Sequence, residues 1–323
     1  MTIGVATVVL PVYAGNAQSS SATRGDSLFA AGEHASARQE FNARLQRNAS
    51  DATALYYMGR IALHQGESGK AVDWFEKAIK VEDGRADFHV WLAAALGEEA
   101  QRASKFRQPF LAKRLRAELE RAVALSPRHI EARYGLMQVY ALLPGFMGGD
   151  MEKAHRQAAE VANINPFYGY MGAAFLAQRE KNFLAAAQAY EKAIGIAPDS
   201  TAGYLSLAAL HQRQERWTDA FATYDRLLKR LPDDEGVHFY IGRAAAMSGQ
   251  HLDRGEASLK RWLARPPRDA RQITVAGAHH RLGQIHEKNG RPDAARAEYE
   301  AALRINPKHD EARKALAART TSR

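Results

Sequence analysis

Hydrophobic positions along this chain repeat first with helical spacing and then, at longer range, with themselves. The stretches FLAAAQAYEKAIGIAP (Phe183–Pro198), WTDAFATYDRLLKRLP (Trp217–Pro232) and PDAARAEYEAALRINP (Pro292–Pro307) align without gaps. Each carries a small residue, an aromatic ring four later, a small or apolar residue three after that, and a proline five further on. The small slot holds Ala37, Ala71, Ala186, Ala220 and Ala295, and both Ala37 to Ala71 and Ala186 to Ala220 span 34 residues. Residues four apart share a helical face. Alanine therefore lets an antiparallel helix approach closely, while the larger side chain above it fills the gap to the next helix. That filler is Phe41, Phe75, Leu119, Tyr190, Tyr224, Leu259 or Tyr299. The closing prolines, Pro127, Pro166, Pro198, Pro232, Pro267 and Pro307, end each second helix, because proline lacks an N–H and disfavours helix in the residue before it.

Period and pattern together resemble the tetratricopeptide repeat (TPR), from Asp26 to Leu316. The resemblance implies an all-α, right-handed α-solenoid of about eight helix pairs with a C-terminal capping helix. Its divisions are a degenerate first repeat at 18–51, repeats at 52–85, 86–129, 130–166, 167–200, 201–234, 235–275 and 276–309, and a cap and tail at 310–323. Three stretches exceed the repeat length: basic QRASKFRQPFLAKRLR (Gln101–Arg116), PGFMGGD (Pro144–Asp150) and RDARQITV (Arg268–Val275). Insertions of this kind map to the rims of a solenoid.

Family members usually bind an extended peptide or a partner's helix in a channel lined by the first helix of each pair. The residue just after the early aromatic slot faces that channel, which here selects Met171, Leu205 and Phe239 at intervals of 34. Tyr168 and Phe175 lie beside Met171, and Arg179, Arg213 and Arg243 lie further along the wall. An apolar floor with a basic wall suits a protein segment bearing apolar and acidic side chains. The alternative is that these apolar residues pack between neighbouring first helices. Chaperone-type arrays grip a terminal carboxylate with a Lys and an Asn four apart, and that pair is absent at Met171/Phe175, Leu205/Ala209 and Phe239/Arg243.

With 46% hydrophobic and 25% charged residues the chain is globular in composition, and with no cysteine it can form neither disulfides nor thiolate metal sites. The net charge of +9 is spread along the helices. Its one dense cluster is the first insertion, where Arg102, Lys105, Arg107, Lys113, Arg114 and Arg116 alternate with Phe106, Phe110, Leu111 and Leu115. Such a pattern suits nucleic acid or an anionic membrane. Alternatively, Pro109 divides it into a helix extension and a helix start that pack on the solenoid with solvated charges.

His279 and His286 lie seven apart like two metal ligands, but the repeat places His89, His238 and His279 in the early aromatic slot and His211 and His286 in the later one. Packing rings are therefore expected, with no metal site and no cofactor. PGFMGGD lacks the Lys and Ser/Thr of a phosphate loop and is expected to be an interhelical turn. No nucleophile motif or converging carboxylate pair is present, so no catalytic residue is assigned. The opening MTIGVATVVLPVYAGNA (1–17) resembles a signal peptide cut after Ala17, although no basic residue precedes its apolar run. The sequence thus leads to an exported, periplasmic or secreted bacterial scaffold with a protein partner and no membrane span, cytoplasmic placement being the alternative. A nucleic-acid or membrane-surface binder, and a non-catalytic arm of a larger enzyme or envelope assembly, are the other functional readings.

Overall fold

The computed structural model describes residues 23–266 and 272–320. The 1–17 segment and the first residues of the third insertion, 268–271, lie outside the described residues. All secondary structure described is helical, an α-solenoid of eight pairs and a terminal helix. In chain order the pairs are α1 (Arg24–Ala30) with α2 (His34–Arg47), α3 (Ala52–His64) with α4 (Ser68–Val81), α5 (Ala86–Arg102) with α6 (Gln108–Leu125), and α7 (Ile130–Leu142) with α8 (Met151–Ile164). They continue as α9 (Pro166–Arg179) with α10 (Phe183–Ile196), α11 (Thr201–Arg213) with α12 (Trp217–Arg230), α13 (Glu235–Ser248) with α14 (Leu252–Ala264), and α15 (Gln272–Lys288) with α16 (Pro292–Ile305). The terminal helix is α17 (Asp310–Thr320). Two compact units divide the chain, Met1–Ala189 and Tyr190–Arg323, with the boundary inside α10. Among the described residues no helix is long and apolar enough to cross a membrane.

Local signals set the helix limits. Side chains of Asp51, Asp150, Asn165 and Asp234 accept hydrogen bonds from backbone N–H groups in the first turns of α3, α8, α9 and α13, satisfying donors that a helix start leaves unpaired. Second helices end two residues before Pro127, Pro166, Pro198, Pro232 and Pro307. The turn inside a pair uses a left-handed residue: Gly32, Gly66 and Gly249 fill it at φ of 77°, 75° and 75°, while Lys181 and Glu215 occupy it at 61° and 57°. Backbone sterics make this costly for a side chain with a Cβ. Gly66→Ala should therefore cost about 1 kcal/mol in urea titration. Gly84→Ala, where φ is ordinary and an added Cβ meets nothing within 4 Å, should cost nothing measurable; equal losses at the two sites would refute the strained turn.

Packing within a pair follows the small-and-ring pattern. Ala37, Ala71, Ala186, Ala220 and Ala295 are all fully buried, as are the fillers Phe41, Phe75, Leu119, Leu259 and Tyr299. Several fillers meet the first helix of their own pair at a glycine. A Cβ on Gly59 would come within 2.6 Å of Phe75, one on Gly242 within 2.2 Å of Leu259, and one on Gly283 within 2.5 Å of Tyr299. Alanine on one helix and glycine on the other thus form a socket for one large side chain.

Between pairs, ion pairs join successive second helices. On α6, Arg114 pairs with Glu76 of α4 and Arg121 with Asp83 just past the end of α4; Arg226 of α12 grips Glu191 with two hydrogen bonds of 2.7 and 2.8 Å; Arg291, at the start of α16, pairs with Glu256. Hydrogen bonds from Arg291 and from Lys260 hold the Glu256 carboxyl down to about 2.

The first insertion is absorbed mostly by lengthening α5 and α6, leaving a short connection at 103–107, with Pro109 in the first turn of α6. PGFMGGD forms a single 3-10 turn, Gly145–Met147, that packs on α6. The third insertion was expected to be linker to Val275, whereas α15 already begins at Gln272.

Candidate functional site

Within the first unit, α3 packs beside α5, α5 beside α7 and α7 beside α9, so the first helices share one face. Its centre is Arg60 on α3. The Arg60 guanidinium lies 4.5 Å from the ring centre of Phe29 (α1) and 4.4 Å from that of Trp91 (α5), with Tyr56 and Tyr57 rings at 5.6 and 5.8 Å. Phe29 meets Tyr57 edge-on at 5.2 Å, and Tyr57 stacks on Phe41 at 4.7 Å. Stacking on aromatic faces fixes the plane of a guanidinium. Its Nε is buried without a hydrogen-bond partner, and among the described residues no carboxylate lies within ion-pair reach of it. Phe29, Tyr57, Arg60 and Trp91 all remain half-buried, open on one side. Burial raises the Tyr56 hydroxyl above its ordinary range, so that ring is neutral.

Further along the same unit, Tyr168, Met171 and Phe175 are half-buried and packed against the main core cluster. They pack on that cluster and keep part of their surface exposed. Arg179 is exposed at the last residue of α9.

In the second unit Leu205 is half-buried on α11 and Arg213 is exposed at its end. Phe239 packs against Trp262 at 5.2 Å and Tyr240 at 5.6 Å. Arg243 stands 5.7 Å from the Tyr240 ring centre, and its Nε too is buried without a partner. Burial and the nearby Arg243 push the guanidinium of Arg281, on the adjacent α15, below its ordinary range. Grouping Arg243 with Arg179 and Arg213 as one wall needs correction. Arg179 and Arg213 lie 34 apart at helix ends, while Arg243 follows Gly242 in mid-helix, the register in which Arg60 follows Gly59. Applied to the second repeat, that register would have found Arg60, which the sequence reading missed.

Reading Arg102, Lys105, Arg107, Lys113, Arg114 and Arg116 as one basic surface also needs correction. Arg102 donates to the Gly66 carbonyl and the Ser68 hydroxyl, each at 2.8 Å; Arg114 pairs with Glu76 and Arg116 with Glu120. Helical spacing turns these three toward neighbouring elements and leaves Lys105, Arg107 and Lys113 exposed.

The histidines divide as well. His89, His211, His238 and His286 are buried as expected, but His279 is only half-buried and hydrogen-bonds Glu298 at 2.7 Å. The buried ring is its neighbour His280, packed on Tyr299 and His309 at 5.6 and 5.0 Å. His286 turns instead toward Glu256 on α14, 4.0 Å away. Among the described residues no group of three or more His, Asp or Glu is arranged to hold a metal ion.

Helix pairs that recur in each unit, with rings and cations on their first helices, define a helical-repeat scaffold for protein interactions. Three segments match profiles described as tetratricopeptide repeat, at residues 23–87, 177–238 and 276–309. The chain is a tetratricopeptide repeat protein. No curated protein matches it significantly. Among solved structures it is similar to a tetratricopeptide repeat protein from Parabacteroides merdae ATCC 43184, with a TM-score of 0.55 and 14% identity over 81% of this chain and 95% of that one. It is also similar to human IFIT1, solved as a dimer with PPP-AAAA, with a TM-score of 0.53 and 17% identity over 87% of this chain and 67% of that one. A thermophilic TPR protein of Thermus thermophilus gives a TM-score of 0.50 and 22% identity, over 58% and 94% of the two chains. At these identities the likeness concerns the fold.

Proposed function

We propose that this chain is a non-catalytic adaptor that holds a segment of another protein on its first-helix face, and that the segment carries acidic and apolar side chains. The observation that carries this reading is Arg60, a half-buried planar cation between Phe29 and Trp91 with no carboxylate in ion-pair reach among the described residues. A carboxylate docking there forms a charge-assisted hydrogen bond without first ordering a flexible arginine. Half-buried rings around it supply apolar contact at low entropic cost. Arg243 on Tyr240 repeats the device in the second unit. Placement in the periplasm or outside the cell belongs to the same proposal and rests on the signal-like opening sequence alone.

Selection of peptides displayed at random against the full chain tests it. Captured peptides should combine Asp or Glu with Leu or Phe. Arg60→Ala should weaken them by about 2 kcal/mol, and Arg60→Lys nearly as much, since lysine keeps the charge and loses the planar fork. Lys229→Ala, on an exposed face, should leave binding intact. Peptides that bind the Arg60 and Arg243 variants as well as the parent would place the site elsewhere.

A further inference from the structure

Three aromatic side chains are left standing in solvent, and all belong to the two insertions that depart from the repeat. Phe106 is 95% exposed, Phe146 81% and Phe110 70%. Among the described residues no other Phe, Tyr or Trp is more than half exposed. Phe106 sits in the α5–α6 connection, Phe110 in the first turn of α6, and Phe146 in the 3-10 turn between α7 and α8. Packing of that turn on α6 brings the two hairpins together at one rim: the Arg116 guanidinium of α6 lies against Gly148, so close that a Cβ there would overlap it.

Three cations at this rim stand without an ion-pair partner among the described residues, while Asp150 at the end of the second insertion pairs with Lys153. Lys105 and Arg107 flank Phe106, and Lys113 lies one turn beyond Phe110. All three are exposed, and among the described residues none has a carboxylate within ion-pair distance, in contrast with Arg102, Arg114, Arg116 and Arg121 nearby. Unneutralised cations beside protruding phenyl rings match a partner that is anionic, apolar just beneath its surface and without fixed shape.

We propose that this rim docks on the surface of an anionic phospholipid bilayer, with Phe106, Phe110 and Phe146 entering the boundary between headgroups and acyl chains and Lys105, Arg107 and Lys113 facing lipid phosphates. Rings at that depth gain from leaving water, and each cation near an anionic surface adds electrostatic attraction. A protein partner would have to offer three matched cavities to rings this exposed; a fluid interface rearranges around them. The rim lies apart from the first-helix face and does not depend on the adaptor reading.

Flotation of the full chain with large unilamellar vesicles tests the assignment. Partitioning onto phosphatidylcholine vesicles containing phosphatidylglycerol should exceed that onto phosphatidylcholine alone by about tenfold or more, and should weaken as salt rises. The Phe106→Ser/Phe110→Ser/Phe146→Ser variant should lose about tenfold of that binding, and Lys105→Gln/Arg107→Gln/Lys113→Gln a similar amount together with most of the salt dependence. Unchanged helical circular dichroism and thermal midpoint would show that both variants fold. Absence of binding, equal partitioning on the two vesicle types, or variants that bind like the parent would overturn the proposal. So would a mixed-sequence single-stranded oligonucleotide that binds through these residues and displaces the vesicles, since the rim would then be a nucleic-acid surface.

Discussion

Ala220→Trp should cost the second unit about 3 kcal/mol or more of folding stability. The Ala220 side chain is fully buried against the first helix of its pair, with Tyr224, itself almost fully buried, one turn above. An indole there forces α11 and α12 apart, and overpacking of a well-filled core costs about 1–3 kcal/mol even for smaller additions. Damage should spread to neighbouring pairs, because in a solenoid each repeat is stabilised by the next; a single thermal transition should broaden or divide. Gly283→Ala makes the same point from the opposite wall of the socket, where the new methyl would meet the Tyr299 ring at 2.5 Å. Lys229→Ala should change stability by less than about 0.5 kcal/mol. Urea titration followed by circular dichroism measures all three, and a result in which Ala220→Trp matches Lys229→Ala would mean that the sockets do not hold the pairs together.

Acid should weaken the second unit by up to about 3 kcal/mol between pH 6.5 and 4, with His280 as the main source. Burial lowers its pKa from 6.5 to about 4, with Arg281 and His309 adding to the effect and Glu311 and Glu287 opposing it. Unfolded chains take up the proton near pH 6.5 and the folded state only near 4, so stability falls across that window and levels off below it. His280→Phe should remove most of the slope. His211, His238 and His286 are shifted the same way by burial and contribute a remainder. In the first unit the sign reverses at His129. Burial opposes its charge, but hydrogen bonds to Asp87 and Glu131 outweigh that and raise it to about 9. Its contribution is therefore complete below pH 6.5 and is lost as pH climbs through 9, a loss that His129→Asn should abolish. Hydrogen exchange resolved by segment separates the two effects, and an acid slope left intact in His280→Phe would exclude the assignment.

How much of this was legible in the sequence follows from which features repeat. Alanine, ring and proline recur because every pair needs the same socket and stop, so eight pairs and a cap could be counted before any coordinates. Arg60 escaped notice for the opposite reason. The position after the socket residue takes Arg60, Phe175, Ala209, Arg243 and Gln284 in different repeats, so no recurring residue type marks it and only the register shared with Arg243 leads to it. What makes it distinctive is the placement of Phe29 and Trp91, side chains contributed by two other first helices. The basic insertion misled for a related reason: Glu76 and Asp83, which neutralise Arg114 and Arg121, lie 38 residues earlier and become neighbours only when second helices align. His279 and His280 show the limit of register itself, because a single step around the helix exchanges a hydrogen-bonded side chain for a buried one.

The division between sockets inside pairs and ion pairs between them bears on how such a chain can be edited and inherited. A helix pair that keeps its own glycine, alanine and ring carries its core with it, and can be duplicated or excised as a unit. What it cannot carry is the neighbour its charges fit. Removing the α13–α14 pair, for example, would bring Arg291 opposite the α12 position that corresponds to Glu256, and that residue is Phe221. Order along the array is thus written in the charged residues of the second helices, and a shuffled array would keep its helices while losing the pairings that say which repeat follows which.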